Sequence, residues 1–259
     1  MIRVEPLDVD LVLVCIDRPH KRNALTRTLI QSLTRELDRL AQVRDVRGIV
    51  LAGAGPSFCA GVDLHEFADG DAESANDLIS GLQRLCKTAR LHPKPIACAI
   101  QGHCLGGALE IAACCDFRVC APDAQLGMPE VFLGIPSVID AVMLGHVIGV
   151  GRARELLLTG DSISGETAYA WGLATCLAPP AELIATACTL LSRVTRHDPD
   201  VIASQKRLHQ EWLDLAYEVA VESSKYPLID SFRQNRPQRI AANRLRAAGG
   251  QASQASHRE

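Results

Sequence analysis

Apolar and polar positions along this chain form short blocks whose period alternates between strand and helix. Leu11-Val12-Leu13-Val14-Cys15-Ile16-Asp17 is a continuous, β-branched apolar run, which predicts a strand, and Arg18-Pro19 ends it. Across Arg27 to Gln42, Leu29, Ile30, Leu33, Leu37 and Leu40 recur near helical spacing, leaving Arg27, Gln31, Arg35 and Arg39 for the wet side, with Thr26 placed as a cap. The alternation then repeats. Gly48 to Ala52 predicts a second strand that ends in the loop Gly53 to Gly61, and residues 72–91 have helical composition. Pro93 and Pro95 break that helix before a strand at Ile96 to Ile100. Gly102, Gly106 and Gly107 come next, then a helical run from Ala108 to Cys115 and a strand from Phe117 to Cys120.

Arg152 to Leu158, Ser164 to Trp171 and Ala181 to Val194 carry helical patterns, with Ser164 as an N-cap, and from about residue 198 only helix is expected. Four strands separated by helices or long connections imply an α/β fold with crossover connections. The composition shift at His197-Asp198-Pro199-Asp200 divides the chain into a core, 1–197, and a helical region, 198–259, whose end from Ala247 to Glu259 is expected to fray.

Composition removes several function classes. The 259 residues are 47% hydrophobic and 22% charged, as in ordinary soluble proteins, whereas aromatic residues at 4% leave little material for stacking on bases. A net charge of −3 offers no global attraction to nucleic acids or anionic membranes, so neither is expected as a partner. The five arginines from Arg233 to Arg246 then predict a solvated helix face or a subunit contact. No apolar run approaches the roughly 18 residues of a membrane span. The ten cysteines include the adjacent pair Cys114-Cys115, show no CxxC spacing, and come after a charged N-terminus that is no secretory leader, which predicts reduced thiols in the cytoplasm. Cysteines and the eight histidines lack paired ligand spacing, so no metal site is expected.

Candidate chemistry centres on Glu110 and Glu130, twenty residues apart. Glu110 closes Gly106-Gly107-Ala108-Leu109-Glu110, one helical turn beyond a glycine turn whose free N–H groups suit a developing oxyanion. Glu130 ends Gly127-Met128-Pro129-Glu130, and each glutamate heads an apolar stretch. Burial in a shared site would raise a carboxyl pKa and divide acid and base roles near neutral pH. Two competing motifs fail. Gly53-Ala54-Gly55-Pro56-Ser57-Phe58 starts like a dinucleotide loop but has Phe58 where the third glycine belongs. His103-Cys104 are adjacent and lack an orienting acid, which suits a small core residue better than a catalytic thiol.

These residues stand in blocks that resemble the crotonase superfamily, the enoyl-CoA hydratase/isomerase family, over nearly the whole chain. Arg18-Pro19-His20-Lys21-Arg22-Asn23-Ala24-Leu25 is similar to the family's N-terminal block, and Phe58-Cys59-Ala60-Gly61-Val62-Asp63-Leu64 to its first oxyanion loop. Ala99 to Glu110 resembles the second oxyanion turn with the first hydratase glutamate, and Pro129 to Gly134 the second glutamate segment. Leu156-Leu157-Leu158-Thr159-Gly160, Ala168 and Gly172-Leu173 resemble the family's segment beyond the second glutamate.

The resemblance implies a superhelix of β/β/α turns with a C-terminal all-helical region that assembles homotrimers, often paired into hexamers. It implies an acyl-CoA thioester as substrate and no separate cofactor, since CoA is part of that substrate. The N–H groups of Val62 and Gly107 would grip the thioester oxygen. Glu130 would serve as the acid/base in proton transfer while Glu110 activates and orients water, giving a 3-hydroxyacyl-CoA from a 2-enoyl-CoA. Ala60, Asp63 and Leu64 would surround the adenine end, Lys21 or Arg22 would meet the phosphates, and His65 stands where many relatives carry a lysine. Isomerisation, hydrolysis and non-catalytic CoA or RNA binding are the alternatives within the superfamily. The largest departure is Gly134-Ile135-Pro136-Ser137-Val138-Ile139-Asp140, where Asp140 is a candidate third carboxylate near the acyl end.

Overall fold

Two sheets carry the site, and the chain passes between them more than once. In this computed structural model, which describes residues 1–8, 10–68 and 71–242, β1 (Ile2–Asp8) pairs antiparallel with β2 (Leu11–Ile16). β2 runs parallel to β3 (Gly48–Gly53), and β3 to β4 (Ile96–Ile100). β5 (His103–Leu105) leaves for a second sheet, while β6 (Phe117–Cys120) returns to the first beside β4. β7 (Gln125–Gly127) lies parallel to β5, β8 (Ser162–Ser164) lies antiparallel to β7, and β9 (Cys176–Leu177) extends the first sheet past β6.

The strands legible as unbroken apolar runs are those buried on both faces. Every residue of β3 and β4 is buried, as parallel strands with covered faces require. Three-residue β5, β7 and β8 leave no mark in the apolar pattern, because so short a segment has no measurable period. β1 has alternating, largely exposed positions, so its sequence conveys a charged N-terminus and no strand.

Helices fill the crossovers. α1 (Arg27–Gln42) begins at Thr26, whose hydroxyl accepts from the Leu29 N–H at 3.2 Å. A short α2 (His65–Ala68) precedes α3 (Ala72–Arg90), capped reciprocally by Asp71 and Ser74. α4 (Gly107–Cys114) starts one residue earlier than its apolar pattern suggests, and every one of its residues is buried. Next come α5 (Val142–Ile148), α6 (Val150–Thr159), α7 (Gly165–Ala170) and α8 (Leu183–Thr195), with the Ser164 hydroxyl capping α7 through the Thr167 N–H at 3.1 Å. Strand, short strand, then helix is therefore the repeating unit at β4–β5–α4, and again at β6–β7 before α5.

The chain divides into compact units at 1–203 and 204–259. Beyond α8 the described residues are helical: α9 (Pro199–Asp214), α10 (Tyr217–Ser223), α11 (Lys225–Arg233) and residues 236–242. Arg244, Arg246 and the stretch Ala247 to Glu259 lie outside the described residues. No helix among the described residues is long and apolar enough to cross a membrane.

Candidate active site

The site begins where two glycine turns meet. After β3 the chain passes alongside β5: the Phe58 N–H donates to Gln101 O at 2.7 Å, the Cys59 N–H to His103 O at 2.9 Å, and the Leu105 N–H to Cys59 O at 3.2 Å. The approach is close at Gly61, which has φ +90, and where any Cβ would lie 2.7 Å from the Leu105 carbonyl oxygen. Val62 and Gly107 stand directly after the residues in this contact. Neither backbone N–H has a hydrogen-bond acceptor among the described residues, and Gly107 is the first residue of α4, where such donors are free and the helix dipole favours negative charge.

The N-terminal block holds this loop in place. Asn23, fully buried at φ 58, donates its amide to the carbonyls of Ala54, Ser57 and Phe58 at 2.9, 2.8 and 3.1 Å, and accepts from the Arg18 N–H at 2.9 Å. Leu25 donates to Gly61 O at 2.8 Å and accepts from the Asp63 N–H at 2.9 Å. The Arg18 guanidinium pairs with Asp63 at 2.5 Å, and the other Asp63 oxygen takes the His65 N–H at 3.1 Å and its ring Nδ1 at 2.7 Å. These charge-assisted contacts outweigh burial and hold the Asp63 carboxyl far below its ordinary range. Asp63 thus fastens the loop with its side chain rather than presenting it to a ligand.

Both glutamates face one cavity. It measures about 250 Å³ and is walled by Ala60, Gly61, Val62 and Leu64 from the first turn, by Gly106 and Glu110 from the second, by Ile79 and Leu82 from α3, and by Pro129 to Val138 in part, including Glu130. The Glu130 carboxylate lies against Gly106, at φ +55, so closely that a Cβ there would sit 2.6 Å from its Oε1. Glu110 is 3% exposed, and its Oε2 is buried with no hydrogen-bond partner. Burial first, then the charges of Glu130 and Asp140, push the Glu110 carboxyl up to about 8, against one opposing hydrogen bond from the Ala141 N–H.

The segment after Glu130 steadies both carboxylates, a role that sequence pattern does not reveal. Residues 129–133 form a 3₁₀ turn, which Gly134 ends at φ 73. The Ser137 hydroxyl donates to Glu130 Oε2 at 3.0 Å. Ile139, β-branched yet at φ 44, enters a second 3₁₀ turn that carries Asp140 and Ala141. That is a strained conformation, in a turn where the Ala141 N–H donates to Val138 O at 3.1 Å and also acts on Glu110. Asp140 is not a cavity wall: it is buried, with Arg90 Nε at 3.4 Å from its Oδ1, and it acts on Glu110 through its charge. The thiols of Cys86 and Cys114 and an oxygen of Asp140 lie within 4.8 Å of one another. The guanidinium of Arg90 already occupies Asp140 and opposes a cation there.

The remaining expectations divide. Ala60 and Leu64 line the cavity, whereas Lys21 and Arg22 are exposed on the N-terminal block and the His65 ring is turned to Asp63. Cys104 is fully buried, with its thiol pushed well above its ordinary value by burial, which leaves no thiolate for nucleophilic attack. His103 instead meets the Ser57 hydroxyl at 3.1 Å.

A family model for enoyl-CoA hydratase/isomerase matches residues 9–235 of this chain. The chain belongs to the enoyl-CoA hydratase/isomerase family. It is 34% identical over 233 residues to the mevalonyl-coenzyme A hydratase sidH of Aspergillus fumigatus, covering 86% of this chain and 82% of that protein. To the 2,3-dehydroadipyl-CoA hydratase of Escherichia coli it is 30% identical over 217 residues, covering 83% and 84%. Among solved structures, the enoyl-CoA hydratase from Bacillus anthracis superimposes with a TM-score of 0.89 at 27% identity, covering 95% of this chain and 96% of that one. The repeat of strand, short strand and helix is thus the crotonase fold.

Proposed function

We propose that this family member is an enoyl-CoA hydratase, adding water across the double bond of a 2-enoyl-CoA to give a 3-hydroxyacyl-CoA. The observation that carries the reading is a single cavity walled by two glutamates and by the backbone turns that bear Val62 and Gly107. A thioester oxygen held by those two N–H groups gains enolate character as the β-carbon is attacked. Glu130 accepts the proton of the attacking water and delivers one to the α-carbon. Glu110, still protonated at neutral pH, orients the water with its unpartnered oxygen. One water is consumed, its hydroxyl going to the β-carbon, and the carboxylates end as they began.

The CoA portion is assigned by family pattern to Ala60, Asp63, Leu64 and His65, with Lys21 or Arg22 near the phosphates. Asp63 enters this assignment through its backbone, because its carboxylate is committed to Arg18. The C-terminal helices expose Trp212, Tyr217, Tyr226, Leu228 and Phe232, more apolar surface than a solitary helical unit tolerates, which supports a homotrimer or hexamer. Light scattering on the intact chain tests the assembly.

Mass analysis of the products tests the reaction. Incubated with crotonyl-CoA in ¹⁸O-water, the protein should yield a thioester heavier by one labelled water. A rearranged thioester of unchanged mass would indicate isomerisation, and free CoA would indicate hydrolysis.

A further inference from the structure

The walls beyond the two glutamates have a chemistry of their own. Ile79, Leu82, Phe132, Leu133, Ile135 and Val138 line the first cavity, and Phe132, Leu133 and Val138 leave 69%, 50% and 42% of their surface open. Apolar groups this exposed around a carboxylate-floored chamber suit a hydrocarbon that covers them. A second cavity, of about 530 Å³, shares Leu64, Leu133 and Ile135 with the first and continues along Glu66, Ala68, Asp71, Ala72 and Ala75.

The described linings of the two cavities contain four acidic side chains, Glu110, Glu130, Glu66 and Asp71, and no lysine, arginine or histidine. The neighbouring cations are already paired, and Arg27 offsets the charge of one lining carboxylate. Arg27 pairs with Glu66 at 2.8 Å and donates to the Ser74 carbonyl at 2.8 Å, Arg90 faces Asp140, and the His65 ring faces Asp63. A carboxylate at the far end of an acyl chain would enter these spaces with no unpaired counter-charge among the described residues and with the acidic groups of Glu130 and Asp71 nearby.

We infer that the site selects thioesters whose acyl group is an uncharged hydrocarbon chain, running past Phe132, Leu133 and Ile135 into the second cavity, and rejects those ending in a second carboxylate. This rests on the hydratase reading only for where the thioester sits. The test uses unreactive saturated thioesters, so that binding is read apart from turnover. Calorimetry on the intact protein should show hexanoyl-CoA binding about fifteenfold tighter than butanoyl-CoA, near fourfold for each added methylene. Adipyl-CoA, of the same length as hexanoyl-CoA but ending in a carboxylate, should bind at least 100-fold more weakly than hexanoyl-CoA.

Adipyl-CoA within tenfold of hexanoyl-CoA would overturn the inference, as would equal binding of butanoyl- and hexanoyl-CoA. Val138→Arg, which places a cation on a half-open wall, should bring the adipyl and hexanoyl constants within tenfold of each other. An unchanged ratio in a variant that still binds hexanoyl-CoA would show that these walls do not set selectivity. Failure of the hydratase reading would look different: hex-2-enoyl-CoA would bind yet gain no water.

Discussion

Glu110 and Glu130 are the same residue in one cavity, yet they are held in opposite ways. Glu110 rises from a fully buried helix, touches a single backbone N–H, and leaves one oxygen without a partner. Glu130 projects from a partly open 3₁₀ turn, with a hydroxyl donating to one oxygen and Gly106 beneath the other. Burial raises the first carboxyl and so keeps a proton on it at neutral pH, and in the proposed hydration the second is the one that exchanges protons with substrate. Local environment, more than residue type, sets the two proposed roles apart.

The division can be broken most severely at Glu130. Glu130→Gln should lower kcat roughly 10³-fold with thioester affinity retained, because a general base is lost and the cavity is not. Glu110→Gln should cost less, about 10²-fold in kcat, since an amide still orients water. The same variant carries a sharper signature in stability. Folded Glu110 titrates near 8 and an unfolded glutamate near about 4.3, so the folded state holds the extra proton between those values. Wild-type stability must therefore fall as pH rises through that window, by about 1.4 kcal/mol per pH unit, and Glu110→Gln should abolish that slope in urea titrations.

Asp140 and Arg90 tune the comparison without lining the cavity. Asp140→Asn removes a like charge and should move the alkaline limb of kcat, set by Glu110, to lower pH. Arg90→Gln leaves Asp140 unopposed and should move the limb to higher pH. A limb that stays still in both variants would assign it to another group. The smallest effect belongs to Ser137. Ser137→Ala should reduce kcat on the order of tenfold through loss of a hydrogen bond to a carboxylate, with KM little changed and Ser137→Thr restoring the rate.

How far sequence reaches depends on where each interaction is encoded. Parallel strands buried on both faces, such as β3 and β4, appear as uninterrupted apolar runs, and Thr26 and Ser164 cap their helices as their spacing indicates. The glycine turns and both glutamates are legible because each stands in a local motif. The partners that tune them are not. Ser137 reaches Glu130 across a turn, Arg90 meets Asp140 from a different helix, and Ile139 takes a backbone conformation that its side chain disfavours. Sequence marks residues 134–140 as atypical, and only tertiary placement shows that Ser137 bonds Glu130 while the charge of Asp140 bears on Glu110. Asp140, expected as a third carboxylate of the acyl site, acts instead from behind the wall.

The parallel contact of residues 58–61 with 101–106 has a kinetic meaning as well. Each half of the proposed oxyanion pair, Val62 and Gly107, lies on its own segment, separated by all of α3 and β4. No local stretch of the chain can assemble the pair, so it forms only when a long loop closes, an event whose entropy cost delays it relative to helix formation. During refolding, helical signal should return before catalytic competence. Turnover would then mark the moment at which the distant segments lock.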